Sequence, residues 1–541
     1  MRIRVGAAAV SVTAALVLTV VGIGPASADE HPYTGTEYDR GGTTTSVDGP
    51  VPAVDALADD ITATTDAAMR DLAAVRGTLR YGQLDEAPPG GPQQLVTYPA
   101  PAGIAPSDQY TASVRQGDRV ADSFVYRVAA RKTDTNREQD TSWTSFSFAE
   151  PVEVSVHKLA GSATGCLVRP ASAGIVTRFA GGTCTFTLVR PANLSVEFVP
   201  DTTNPVAHPM LVFANPPETD VPPATGDPDV LYFGPGVHHI GSGIALHSGE
   251  TVYLAGGAWV EGAFKGVGVS DVVIKGRGVI DGTFLDTGDQ TANKKQPGLI
   301  DITNSRNVLI EGITLVDGPR FNVRAIGSYD TIRNVKVMSW WFSTDGVVAG
   351  NPGLVEDNFI KVNDDSIKLF WGDTVARHNT IWQLENGAPF MMSWNIEQDS
   401  RDFHVYDNDV IHAEHNQFSP QAVFRARHAG AGHLQRYLFE NIRVEDADWR
   451  LFYLILENNK WYDPSLGFGQ ISDVVFRNIT ADTPFRLPSV VQGIDADHGI
   501  ADVSFVNVTM NGACLSDATG FQLDPATTDR IRIMKDAACH S

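Results

Sequence analysis

Arg333-Asn334-Val335-Lys336-Val337 returns, with changes, as Asp357-Asn358-Phe359-Ile360 and His378-Asn379-Thr380-Ile381. It returns again as Asp407-Asn408-Asp409-Val410, Glu440-Asn441-Ile442-Arg443-Val444, Arg477-Asn478-Ile479 and Val506-Asn507-Val508. Gly276 and Gly312 hold the equivalent place in two earlier units. The asparagines follow one another at steps of 24, 21, 29, 33, 37 and 29 positions. A repeat of this size, built of short strand patterns without helices, predicts a right-handed parallel β-helix. Asparagine suits one recurrent bend, because it tolerates left-handed backbone and its amide can bond to the asparagine stacked above. The signatures of leucine-rich repeats and propellers are absent.

Outward from the repeat, the pattern changes. Ser123–Val128, Trp143–Phe148, Val152–Val156, Cys184–Val189 and Leu194–Val199 alternate polar and apolar residues between Pro and Gly turns. That predicts an antiparallel β-sandwich over residues 101–217. The run Pro216-Pro217-Glu218-Thr219-Asp220-Val221-Pro222-Pro223 reads as a stiff linker. The β-helix is then expected over 218–541, which makes the chain all-β. Residues 29–100 form a leader. Within it Val54, Leu57, Ile61, Ala68, Leu72, Val75 and Leu79 recur at three- or four-residue steps. They predict one amphipathic helix packing on a neighbour, stopped near Gly82. Residues 1–28 read as a signal peptide. Arg2 and Arg4 precede the apolar stretch Val5–Val21, and Ala26-Ser27-Ala28 is a small-residue cleavage site. A secreted protein without a membrane anchor is expected, since no other segment is apolar and long enough to span a bilayer.

Length and charge narrow the function. The chain has 541 residues, enough for more than one domain, and is 43% hydrophobic. Its 64 acidic against 41 basic residues leave a net charge of -23. Nucleic acid is a poor partner for such a surface. Export permits disulfides. Cys166, Cys184, Cys514 and Cys539 allow three pairings, of which the local one puts a bridge in each half of the protein. No short Cys-x-x-Cys spacing points to a metal.

The chemistry concentrates in three aspartates: Asp345 in Ser-Thr-Asp-Gly and the adjacent Asp364-Asp365 in Val-Asn-Asp-Asp-Ser-Ile-Lys-Leu. Asp365 follows Asp345 by 20 positions, about one coil. Asp345-Gly346-Val347 aligns with Asp365-Ser366-Ile367. Coils stack about 4.8 Å apart, so the three carboxyls should share a small volume. At least one must then rise in pKa, which puts a protonated acid beside ionised partners. Acid–base cleavage of a glycosidic bond uses that arrangement. Any single aspartate of a β-helix is more simply a turn cap, but stacked register favours a site. Trp340, Trp341, Phe342, Trp371, Trp382 and Trp394 lie on the same or neighbouring coils. Such rings stack on sugars or fill a core.

At these residues the chain resembles glycoside hydrolase family 49, the dextranase and isopullulanase family. The resemblance is carried by Asn363-Asp364-Asp365-Ser366-Ile367-Lys368-Leu369-Phe370-Trp371. It extends to Asp122–Tyr126, Ser142–Phe146, Met210–Ala214 and Tyr232–His238, and so covers roughly residues 110–480. It implies a β-sandwich before a β-helix and inverting hydrolysis of an α-glucan polysaccharide, with no cofactor or metal. A monomer is expected. Residue by residue, it implies Asp364 as general acid, with Asp345 and Asp365 holding the water. Acid and base should then stand about 6.5–9.5 Å apart. Lys368, Trp371, Trp341 and Trp394 are the expected substrate-binding residues. Lys368 could instead pair with a neighbouring carboxylate, and Trp371 could be core.

Three functions stay in competition. The first is endo-hydrolysis of α-1,6-linked glucan, dextran before pullulan, the latter in the manner of an isopullulanase. The second is a polygalacturonase-like pectin hydrolase, which needs cations for uronate carboxylates. Phe424-Arg425-Ala426-Arg427-His428 keeps it open, although an ordinary surface pair is the simpler account of Arg425 and Arg427. The third is a β-helix that binds polysaccharide without cutting it.

Overall fold

The computed structural model describes residues 45–48, 52–76, 95–129, 140–416, 419–535 and 539. The segment read as a signal peptide lies outside the described residues. The repeat folds as a parallel β-helix with three ladders of strands. The first ladder is a 14-stranded sheet that runs from Val230–Phe233 to Arg532–Lys535. The second contains Lys336–Met338, Phe359–Val362, Thr380–Gln383 and Asp409–Ala413, each parallel to the next. The third contains Val323–Ser328, Val347–Ala349, Ile367–Lys368, Phe390–Ser393, Phe424–His428 and Phe452–Leu456. Side chains alternate in and out along each strand, so inward columns are apolar. Ile280, Leu315, Val337, Ile360, Ile381 and Val410 stack in register, all fully buried. Phe390, Phe424 and Phe452 stack at ring-centroid distances of 5.3 Å.

The asparagine repeat proves to be two columns. At the bend after each first-ladder strand one residue takes positive φ: Asn334, Asp357, His378, Asp407, Asn441, Asn478 and Asn507, with Gly276 and Gly312 before them. The next position points inward and carries Asn358, Asn379 and Asn408, all fully buried. Asn358 Nδ2 donates to Asn379 Oδ1, and Asn379 Nδ2 to Asn408 Oδ1, each at 2.9 Å. Their amides also donate to the carbonyls of Ile332, Val355 and Ala376 at 3.0 Å. The sequence reading gave left-handed backbone and stacking to a single position. In the coils of Asn358, Asn379 and Asn408 the register divides those tasks between neighbours, because the left-handed bend residue projects outward while the residue after it re-enters the coil. In the later coils Asn441, Asn478 and Asn507 do both, with left-handed backbone and with Asn478 donating to Asn441 at 3.0 Å and Asn507 to Asn478 at 3.2 Å.

Ahead of the β-helix stand two mainly antiparallel sheets of five and six strands. One pair departs from that pattern: Asp140–Phe148 runs parallel to Met210–Asn215. Cys166 and Cys184 bridge the two sheets, and Cys514 pairs with Cys539 near the far end of the chain. The sandwich docks on the outward side of the second ladder. Tyr126, Trp143, Leu211 and Phe213 pack there with Trp259, Met338, Trp340, Phe359 and Trp382. A buried charged network crosses the same seam. His412 Nε2 lies 2.8 Å from Glu197 and its Nδ1 3.1 Å from Asp446. Arg169 pairs with Glu197 at 3.1 Å and Glu445 at 2.5 Å.

The leader's helix spans Pro52–Arg76 and lies along the first ladder. Val54, Ala58 and Ile61 pack on Leu438, Val475 and Met534, and Leu72 packs on Leu354 and Val375. Leu79 of the predicted helix lies outside the described residues. Thr45–Asp48 adds a parallel strand beside Arg532–Lys535, which extends the ladder past its last coil. No helix among the described residues is long and apolar enough to cross a membrane.

Candidate active site

The third ladder sets the acidic trio. Val347 pairs with Ile367, and Gly346 N donates to Asp365 O at 2.9 Å. Asp345 and Asp365 therefore sit directly above one another, each at the entry to a short strand. Asp364 precedes Asp365 in the turn after Phe359–Val362. Two glycines allow this closeness. A Cβ on Gly346 would lie 2.3 Å from Ser366 O, and one on Gly387, at φ +80°, 2.2 Å from the Asp364 carbonyl carbon. One oxygen from each of the three carboxyls lies within 4.8 Å of the others. Asp345 is 5% exposed, Asp364 3% and Asp365 0%, so the trio lies at the floor of the face with two members still touching solvent.

The trio's partners divide each carboxylate into a held oxygen and a free one. Lys368 Nζ lies 2.7 Å from Asp345 Oδ2 and 3.5 Å from Asp365 Oδ2. Trp394 Nε1 donates to Asp365 Oδ2 at 2.8 Å. Asp345 Oδ1 and Asp365 Oδ1 are both buried without a hydrogen-bond partner. Asp364 Oδ1 accepts the Asp365 amide at 3.0 Å. Burial pushes the Asp345 carboxyl up to about 6, although Lys368 opposes it. Asp364 is raised well above the ordinary carboxyl range, by burial first and then by the charges of Asp345 and Asp365. Burial pulls Lys368 down, but the three carboxylates outweigh it and its pKa is raised. The trio could supply ligand atoms to a cation, yet the Lys368 ammonium already places a positive charge among them. It hydrogen-bonds Asp345 and lies within ion-pair distance of Asp365, where a bound cation would meet its repulsion.

The aromatic residues separate. Trp394 and Trp371 stand beside the trio in a cluster with Phe370, Met391 and Trp461, and Trp394 and Trp461 lie 4.6 Å apart. Trp341 is half-buried and donates to Asp286 Oδ2 at 2.8 Å, which ties it to the segment around Thr283–Leu285. Trp340 and Trp382 do not join them. Both are fully buried at the seam with the sandwich, since they sit on the second ladder. Phe342 is also buried. Arg425 and Arg427 are not an ordinary surface pair. Arg425 is fully buried, with Nη1 donating to Gln421 at 2.6 Å, and Arg427 pairs with Glu457 at 2.7 Å. Their guanidinium carbons lie 4.6 and 5.3 Å from the Trp394 ring centre. Sequence reasoning missed Arg320, Phe321 and Arg324, which stand one coil before Asp345. No motif surrounds them, and only the register brings them to the trio.

No family model matches the chain. Among curated proteins, it is 26% identical over 212 residues to a dextranase of Arthrobacter globiformis, covering 34% of this chain and 32% of that one. It is 27% identical over 225 residues to a dextranase of Talaromyces minioluteus, covering 36% of each chain. It is 25% identical over 352 residues to an isopullulanase of Aspergillus niger, covering 54% of this chain and 62% of that one. Among solved structures, Dex49A from Penicillium minioluteum superposes with a TM-score of 0.65 at 18% identity, over 82% of this chain and 99% of that one. These relatives carry the names of the family that the sequence resembles, glycoside hydrolase family 49. The chain's matched region spans about a third of the length of the dextranases and under two thirds of the isopullulanase. Like that of Dex49A, the fold of this chain is a parallel β-helix.

Proposed function

We propose that this protein is a secreted hydrolase of α-1,6-linked glucan, with dextran as its substrate, and that it inverts the anomeric configuration. The observation that carries the reading is the split between the three carboxyls. Asp364, kept protonated by burial and by its anionic neighbours, gives its proton to the glycosidic oxygen. Asp345 and Asp365, with Oδ2 held by Lys368 and Trp394, turn their free Oδ1 atoms to a single water, which attacks the anomeric carbon as it gives its proton to Asp345. Two acceptors on one water favour attack by water over attack by a carboxylate. No step needs a metal or an organic cofactor. Relatives named for dextran and pullulan hydrolysis support the substrate class. The leader 1–28 would direct export, and the two disulfides suit an oxidising compartment.

Two observations favour second readings. The isopullulanase match covers more of the chain than either dextranase match, which favours pullulan. The carboxyl oxygens lie within 4.8 Å, closer than the 6.5–9.5 Å expected of an inverting pair, which favours retention through a covalent intermediate. Reducing-sugar release from dextran, pullulan and polygalacturonate separates the substrates. NMR of the first-formed anomer separates the stereochemistry: β-product from an α-linkage means inversion, and α-product refutes it. Asp364→Asn with unchanged turnover would remove the assigned acid. Binding without release of any product would leave a polysaccharide-binding β-helix.

A further inference from the structure

One coil before the trio, Phe321 stacks directly over Asp345, as Asp345 stacks over Asp365. Three cations surround its ring. The guanidinium carbons of Arg320 and Arg324 lie 4.5 and 4.8 Å from its centre, and Lys368 Nζ lies 5.4 Å away. Two of these have carboxylate partners. Arg324 forks onto Asp301, with both Nη2 contacts at 2.8 Å, and Lys368 holds Asp345. Arg320 has none. It forms no ion pair among the described residues, and its Nε is buried without a hydrogen-bond partner. The residue is only half-buried, so the rest of its planar fork remains open to a ligand.

A partly desolvated guanidinium without an acceptor is costly unless something bound supplies one. The charges around it say what that is. With Asp364 protonated, Asp301, Asp345 and Asp365 balance Arg320, Arg324 and Lys368, so a bound anion would need a net positive charge that the site lacks. A neutral polyol would not, and two adjacent hydroxyl oxygens match the spacing of the guanidinium fork. The Phe321 ring is already covered by cations and is a poor platform for a sugar ring, which leaves hydrogen bonding as the means of recognition here.

We propose that Arg320 is a substrate-contacting, specificity-determining residue that donates to hydroxyl oxygens of the glucosyl unit lying over Phe321, next to the cleavage point. The proposal rests on the hydrolase reading above, and one experiment distinguishes their failures. Wild-type protein, Arg320→Ala and Arg320→Lys are assayed on isomalto-oligosaccharides and on polygalacturonate across pH, with thermal unfolding as the check on folding. The expected result is a KM for the isomalto-oligosaccharides raised roughly 10- to 100-fold in Arg320→Ala, a kcat changed by only a fewfold, and an unmoved acidic limb. Arg320→Lys, which keeps charge and donors without the fork, should fall between the two, and it serves alone if Arg320→Ala does not fold. A KM within about twofold of wild type overturns the proposal. So does a fall in kcat with a shifted acidic limb, which would make Arg320 an electrostatic support of Asp345. So does cleavage of polygalacturonate that is lost in Arg320→Ala, which would mark an anion site. A wild-type protein that cleaves no α-glucan refutes the hydrolase reading itself, whatever the variants do.

Discussion

Lys368 reaches back across one coil to donate to Asp345 Oδ2 at 2.7 Å. The same ammonium lies 3.5 Å from Asp365, so one cation braces both carboxylates that flank the proposed water. The sequence reading placed Lys368 against substrate or against a neighbouring carboxylate, and the structure favours the second. Lys368→Met removes the charge that opposes burial at Asp345. Because a cation favours the ionised carboxylate, its loss raises the Asp345 pKa above the present value of about 6. The acidic limb of the kcat/KM profile should therefore move to higher pH, and kcat should fall on the order of 10²-fold. Lys368→Arg should move the limb less. Initial rates between pH 4 and 9 check both.

Asp364 should govern the alkaline limb. Its carboxyl is raised well above the ordinary range by burial and by Asp345 and Asp365, so it stays protonated where an exposed aspartate would not. Activity should decline as pH rises through that pKa, because the acid is then spent. Asp364→Asn should cost about 10²–10⁴ in kcat and remove the alkaline limb. Calorimetry on an oligosaccharide should show affinity retained.

The seam between sandwich and β-helix should weaken at high pH. Both nitrogens of buried His412 face carboxylates, Glu197 and Asp446, while Arg169 and Lys361 lie nearby. Burial pulls the His412 pKa down, but Glu197 and Asp446 outweigh it and the net shift is upward. A raised folded-state pKa gives stability that is full below the unfolded value of about 6.5 and is lost as pH rises through the folded value. Glu197 and Asp446 are net lowered, since their cationic partners outweigh burial, and their contribution is lost as pH falls through their folded values. Stability from this network should peak between those limits. His412→Leu should destabilise the protein by about 3–5 kcal/mol within that window, and by less above it. Thermal unfolding as a function of pH tests the slope.

The two asparagine columns should respond differently. Asn379→Leu removes the acceptor of Asn358 and the donor to Asn408 inside the coil. Each group left unsatisfied costs about 1–3 kcal/mol. Asn478 is exposed at a bend with φ 54°, and Asn478→Gly should change stability by less than about 1 kcal/mol, since glycine accepts that backbone freely and the bonds lost to Asn441 and from Asn507 are open to water. Chemical denaturation of both variants provides the comparison.

The repeat, its bends and the stacking of Asp345 on Asp365 were legible in the chain because they are periodic. A strand alternates inside and outside, and each coil, although 21 to 37 residues long, brings the same bend pattern back to its column. The leader's helix was legible for the same reason, through its three- and four-residue steps. Its seat on the first ladder was not, since periodicity shows an apolar face without showing what covers it.

Sequence alone thus determined the solenoid, the sandwich before it and the acidic trio, all of which follow from local alternation and from one step of 20 residues between Asp345 and Asp365. Only the tertiary structure decided which outward side chains meet that trio. Arg320, Lys368, Trp394 and Arg425 come from four of five successive coils whose turns differ in length, so their separations in the chain carry no common period. Tertiary structure likewise put Trp340 and Trp382 against the sandwich and Trp394 against Asp365, because the face a residue takes depends on which of three ladders its strand joins.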